Sequence, residues 1–333
     1  NNMNTLEEEY YGFLNNNEIH SSERIKSYNE DYLKRQSLLF FSAGITASFC
    51  ASLYNSLDCL RIRWQVPSST YPKQNLVEFA QHIVKNEGFV NGLWRPGLAS
   101  NAVAMGTSGA LRFGFYEILR DKLQGEHNET EKSSSAMIIS GLACGCFAYL
   151  ITTPFHLVKT MIQAEHGVIG TNGLYITGSR VGKEPHVTHL ISGLKTLYKE
   201  NGLVSLYRGA LPLAARGSTF TGGQLFGYDG FKTICKRNGI EDGPKLHAVS
   251  GIVAAATATI TSTPADYTMT RFMASKGENV KLIDIVKTIY KEGGITGFWK
   301  GSMINFSRSC PVFLTYTFTY EQLRKQLGLG FFG

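Results

Sequence analysis

The sequence predicts an all-α membrane protein, with six transmembrane helices in three pseudo-symmetric repeats and short amphipathic helices at the surface. Three observations predict it. A ten-residue segment recurs three times along the 333 residues, each copy closes a long apolar run, and each is followed by the same ordered set of shorter signals. A repeat of this kind outranks length as a guide to architecture, because no single unit can bury its apolar face alone.

The recurring segment runs from Ser56 to Gln65, from Pro154 to Gln163 and from Pro264 to Met273. Small residues stand thirteen and nine positions before its first residue: Ala43 and Ala47, Gly141 and Gly145, Gly251 and Ala255. That spacing lets helix backbones approach closely in lipid. Downstream comes an acid with a Gly, then an aromatic, a base and a Gly: Glu87 and Gly88 before Trp94, Arg95 and Gly97; Glu200 and Gly202 before Tyr207, Arg208 and Gly209; Glu292 and Gly293 before Trp299, Lys300 and Gly301. A second apolar run then ends in Tyr116, Glu117 and Arg120, in Tyr228, Asp229 and Lys232, and in Tyr320, Glu321 and Arg324.

These runs predict long helices over 38–64, 97–123, 136–164, 209–237, 245–274 and 301–327, each able to cross about 30 Å of hydrocarbon. Residues 75–86, 187–199 and 281–291 carry apolar side chains at helical spacing and are expected on a membrane surface. The repeats are therefore bounded at 38–124, 136–237 and 245–327, after a polar extension over 1–37. Glu7, Glu8 and Glu9 in that extension argue against an Arg-rich transit peptide. Pro154 and Pro264 should kink their helices, and Ser56 should give a softer bend if nothing compensates for the missing ring.

Composition narrows the chemistry. A net charge of +7 suits an anionic partner, and anionic lipid, anionic solute and nucleic acid all qualify on charge; the membrane-helix pattern, not the charge, leaves no nucleic acid expected. The six cysteines fall mostly in apolar segments without metal-site or redox spacing, and His186 and His189 lack a supporting cluster, so no metal is expected. Phosphate-loop and nucleophile-elbow motifs do not occur, and no catalytic role is expected.

The segment P-x-[D/E]-x-x-[K/R]-x-[K/R]-x-Q, the acid-Gly to aromatic-base-Gly element and [F/Y]-[D/E]-x-x-[K/R] together resemble the mitochondrial carrier family over about residues 38–327. The resemblance implies a threefold bundle around a central cavity, multi-pass in the inner mitochondrial membrane, with kinked odd helices converging on the matrix side. It further implies a matrix gate pairing Asp58 with Lys159 and Asp266 with Arg61, backed by Gln65 and Gln163, with Met273 in the third glutamine slot. His156 and Met269 occupy the third pair, where no salt bridge can form; losing both partners is nearly neutral, whereas orphaning one buried charge costs about 3–5 kcal/mol.

The implied cytoplasmic gate joins Glu117 with Lys232, Asp229 with Arg324 and Glu321 with Arg120, braced by Tyr116, Tyr228 and Tyr320. Such charges could instead cap helix ends at the headgroups. Three bonds against two predict a bias toward the matrix-open state.

Central contacts on the even helices are implied at Ala104, Arg216 and Arg308, with Arg112 two turns further toward the cytoplasm. Arginines inside a membrane suggest a small anionic metabolite as cargo, since the guanidinium grips carboxylates through two bonds. Here the local strings are similar to the dicarboxylate and oxoacid branch. Either central arginine could alternatively hold a structural carboxylate or a lipid phosphate. Helix starts at Gly97, Gly209 and Gly301 beside Arg95, Arg208 and Lys300 suit cardiolipin as a structural lipid; no other cofactor is implied. The expected function is an antiporter of small carboxylates. Two further readings stand beside it: a transport-inactive subunit of a larger inner-membrane complex, with Ser56, His156, Met269 and Met273 as departures in its favour, and a proton leak.

Overall fold

The computed structural model describes residues 30, 33–67, 75–124, 134–239, 244–275 and 280–329. Most of the polar extension lies outside the described residues, as do the side chains of Glu117 and Asp229.

The long helices are α1 (Leu33–Leu53) with its continuation α2 (Asn55–Gln65), α4 (Leu98–Gln124), α5 (Ser134–Glu165), α7 (Ala210–Arg237), α8 (Pro244–Ala274) and α10 (Ser302–Gln326). Between them lie the surface helices α3 (Leu76–Glu87), α6 (Leu190–Leu206) and α9 (Leu282–Gly293). Each even long helix begins after a glycine in the left-handed region, Gly97 (φ 62°), Gly209 (φ 88°) and Gly301 (φ 85°). Only glycine enters that region without a Cβ penalty, which is why the repeated base-Gly pair marks the start of a helix.

The helices form a closed ring: α1 packs on α4 through Gly44 and Gly106, α4 on α5, α5 on α7, α7 on α8, α8 on α10, and α10 back on α2. Polarity is inverted relative to a water-soluble bundle. On α1, Phe41, Ile45, Phe49 and Leu53 are 45–60% exposed, while Ser42 and Thr46 are fully buried. The outward apolar stripe requires lipid, and the inward polar one requires partners inside the ring. Two helices, Leu33–Leu53 and Ile139–Glu165, are apolar enough to cross a membrane on composition alone. Others are diluted by inward polar residues such as Ser100, Asn101 and Ser108 on α4 and Asn305 and Ser309 on α10.

Close approach follows the small residues only in part. Ala43 and Ala47 do meet Gly109 of α4. In the third repeat the contact shifts to Ala254 and Ala258, whose Cα atoms would lie 3.0 and 2.9 Å from a Cβ at Gly227 and Gly223. Gly141, Gly145 and Gly251 meet only side chains, at 3.4 Å or more, so their register does not set a helix crossing.

Helix 1 is the odd helix divided at its bend, at Tyr54 (φ −100°, ψ 19°), whereas Pro154 and Pro264 lie inside undivided helices. Side chains of the following elements take over carbonyls there: Trp94 Nε1 donates to Ser52 O (3.1 Å) and Asn101 Nδ2 to Ala51 O (3.3 Å). In the third repeat Trp299 Nε1 donates to Ile260 O at 2.9 Å, the carbonyl that Pro264 cannot serve. The repeated aromatic thus satisfies the bent helix.

Candidate functional site: the odd-helix ring and the central arginines

Asp58, His156 and Asp266 occupy one register on α2, α5 and α8, at the end where the odd helices converge. Both implied ion pairs are present: Lys159 Nζ meets Asp58, and Arg61 Nη1 meets Asp266. Arg61 also reaches Asp58 on its own helix at 3.1 Å. All four side chains are 6% exposed or less, so the ring is closed. His156 and Met269 are buried as well, and among the described residues His156 Nε2 has no hydrogen-bond partner.

The central arginines join this ring. Arg216 Nε donates to Asp266 Oδ1 at 2.5 Å, and Arg308 Nε lies 3.7 Å from Asp58 Oδ1. Each is about a tenth exposed and turned into the bundle, away from lipid. The alternative in which they hold structural carboxylates therefore describes this closed state. Ala104, the third central position, is fully buried. Arg112 is half-buried over the Phe113 ring (4.9 Å), which stacks with Tyr316 at 5.3 Å.

Counted on these described residues, four cations (Arg61, Lys159, Arg216, Arg308) face two carboxylates (Asp58, Asp266). The arithmetic behind a matrix-open bias counted two bonds and missed the two arginine links. Those contacts add to the described ring, while the Glu117 and Asp229 pairs of the opposite gate lie outside the described residues.

The second-layer residues each sit beneath a glycine that starts an even helix. A Cβ at Gly97 would lie 3.0 Å from Gln163, one at Gly301 would lie 3.4 Å from Gln65, and one at Gly209 would lie 2.8 Å from Met273. Gln65 Nε2 reaches Asp266 at 3.5 Å, but Gln163 Nε2 bonds Asn55 Oδ1 (3.0 Å) instead of a ring carboxylate.

Two pairs of one kind were missed from the sequence. Arg63 grips Glu87 through two bonds of 2.6 and 2.7 Å, and Arg271 grips Glu292 at 2.8 and 2.9 Å. The signal was there: the second base of the segment and the acid before Gly occur together in repeats one and three. Met161 replaces that base in repeat two, and Glu200 bonds His186 instead, at 2.6 Å. The connection over 166–189 adds a strap between repeats, with Thr177 Oγ1 donating to Glu87 at 2.9 Å. Burial raises the pKa of its Tyr175 hydroxyl above the ordinary value, with the nearby Glu165 carboxylate adding to the shift.

At the opposite end, the pairs of Glu117 and Asp229 lie outside the described residues, and Glu321 is exposed. The tyrosines brace bases of their own helices: Arg120 lies over Tyr116 (5.8 Å), Lys232 over Tyr228 (6.0 Å) and Arg324 over Tyr320 (5.5 Å). Of the expected lipid cations, Arg95 and Lys300 are exposed. Arg208 turns onto Ser275 (2.9 Å) and the Phe272 ring (4.9 Å), which leaves the Gly209 turn without an exposed cation of its own.

Three stretches, residues 35–127, 130–239 and 242–330, match the family model described as mitochondrial carrier protein. The chain belongs to the mitochondrial carrier family. Among the carriers it is similar to are the mitochondrial substrate carrier family protein ucpB of Dictyostelium discoideum (28% identical, over 87% of this chain and 96% of that protein) and the mitochondrial oxaloacetate transport protein of Saccharomyces cerevisiae (28%, 82% and 84%). A third is the mitochondrial dicarboxylate carrier of Caenorhabditis elegans (27%, 90% and 97%). These relatives are carriers and transporters, not enzymes.

Proposed function

We propose that the chain is an inner-mitochondrial-membrane antiporter of small dicarboxylates or oxoacids, working by alternating access. The observation that carries the proposal is the charge excess of the closed ring: four buried cations against two carboxylates. An unbalanced pair of positive charges in a membrane interior is costly, and a dianionic cargo would offset it. Arg216 and Arg308 are the groups to receive it, because a cargo carboxylate offers each the same partner that Asp266 or Asp58 now supplies. Transfer of the arginines to cargo leaves each ring aspartate with fewer cations, which loosens the gate and links binding to opening. Carriers of oxaloacetate and of dicarboxylates among the relatives support the same class. Cardiolipin at the Gly97 and Gly301 turns, beside the exposed Arg95 and Lys300, is part of the proposal.

The test is reconstitution in liposomes with uptake of labelled succinate and malate. Arg216→Ala and Arg308→Ala should each lower uptake at least about tenfold, the scale of one charged hydrogen bond. A second reading, a transport-inactive subunit of a larger complex, draws on the neutral pair His156 and Met269. Absence of any anion uptake together with stoichiometric co-purification would favour it.

A further inference from the structure

Each charged position of the ring obeys one rule of contact. Asp58 is touched by a base on the next odd helix, Lys159, and by an arginine on the preceding even helix, Arg308. Asp266 is touched in the same way by Arg61 and Arg216. Carried to position 156 by the threefold register, the two partners are Met269 and Ala104. Ala104 has no polar atom, and Met269 offers only a weakly accepting thioether sulfur. All three residues that would have carried charge in this sector are thus neutral, and the polar atom left behind is His156 Nε2, unpartnered in a side chain 5% exposed.

The imidazole is held, not loose. Its edge packs on Tyr149 with ring centroids 5.5 Å apart, and the Arg216 guanidinium lies 6.0 Å from that same tyrosine ring. His156 and Arg216 therefore flank one aromatic side chain. A ligand carboxylate on Arg216 would sit beside the aromatic ring that the imidazole also touches. Packing alone does not explain a histidine here, because phenylalanine would fill the space beside Tyr149 without a buried polar atom.

We propose that His156 is a specificity-determining contact of the cargo site, reading an oxo or hydroxyl group on the carbon next to a carboxylate. Neutral imidazole suits both groups: Nε2 donates to an oxo oxygen in one tautomer and accepts from a hydroxyl in the other. The cargo is then a 2-oxo or 2-hydroxy dicarboxylate in preference to an unsubstituted one. A site built around a buried polar group discriminates against the analogue that leaves it unpaired. The assignment rests on the carrier reading above and adds the substituent that the two arginines cannot sense.

Malate and succinate differ by one hydroxyl, so the readout is the ratio of their initial uptake rates in liposomes. The full-length protein should favour malate by about tenfold, the scale of one net hydrogen bond. His156→Phe, which keeps the contact with Tyr149, should bring the ratio close to one, and His156→Gln, which keeps a polar group, should retain part of the preference. Equal ratios in the parent protein and His156→Phe would overturn the assignment while leaving the carrier reading intact. Uptake of neither dicarboxylate by the parent protein would overturn both. If His156→Phe does not fold, as judged by thermal unfolding in detergent, the His156→Gln ratio decides: a value at or above that of the parent counts against the assignment.

Discussion

Two seams of the odd-helix ring are ionic and the third is oily. Between α2 and α5, and between α2 and α8, buried carboxylates meet buried cations. Between α5 and α8, Met161, Met269 and Met273 pack with Leu157, Val158, Ile162 and Leu213 in one apolar cluster. At the ring neither partner is a carboxylate or a base (His156, Met269); at the periphery Met161 stands in the base slot, while Glu200, 45% exposed, bonds His186. The difference teaches that a threefold gate need not be held by three equal bonds. Exchanging a whole ion pair for packed apolar groups is tolerated where removing half of one is not.

The largest expected effect breaks an ionic seam. Asp266→Asn removes the carboxylate shared by Arg61 and Arg216, leaving two buried cations beside a neutral amide. Stability should fall by about 3–5 kcal/mol, read as the largest drop in unfolding temperature of the set. An effect below about 1 kcal/mol would mean that the ring is hydrated and its charges screened.

Next is a test of the oily seam. Met269→Lys places a cation opposite neutral His156 and should cost on the order of 3 kcal/mol; adding His156→Asp should recover at least half of that, because the pair then resembles its two neighbours. Additive losses in the double mutant would show that the seam cannot be made ionic.

The smallest effect separates two chemically identical pairs by burial. Glu87 and Arg63 are 1% and 4% exposed, whereas Glu292 is 47% exposed. Glu87→Gln should cost about 2–3 kcal/mol and Glu292→Gln less than about 1 kcal/mol. Equal losses would imply that the Thr177 strap and burial add nothing to the first pair.

Much of this was legible in the sequence because it is local or repeated. Helix bounds followed from apolar period and from the glycines that open each even helix. The pairs Asp58–Lys159 and Asp266–Arg61 followed from the resemblance, applied residue by residue. At Ser56 the carbonyls are claimed by Trp94 and Asn101, some 40–50 residues downstream, which no local reading shows. Arg208 is drawn onto Ser275 and Phe272, on a different helix, a contact that its own repeat does not display.

By itself, then, the sequence determined three repeats, six membrane-crossing helices and which ring positions are charged. These depend on periodicity and residue type, which a single chain displays in order. Only the tertiary structure decided that Arg216 and Arg308 lean onto the gate aspartates, that the α5–α8 seam is apolar, and that His156 keeps an unpartnered nitrogen. Side-chain partnerships across helices depend on distance in space, and the folded ring alone sets those distances.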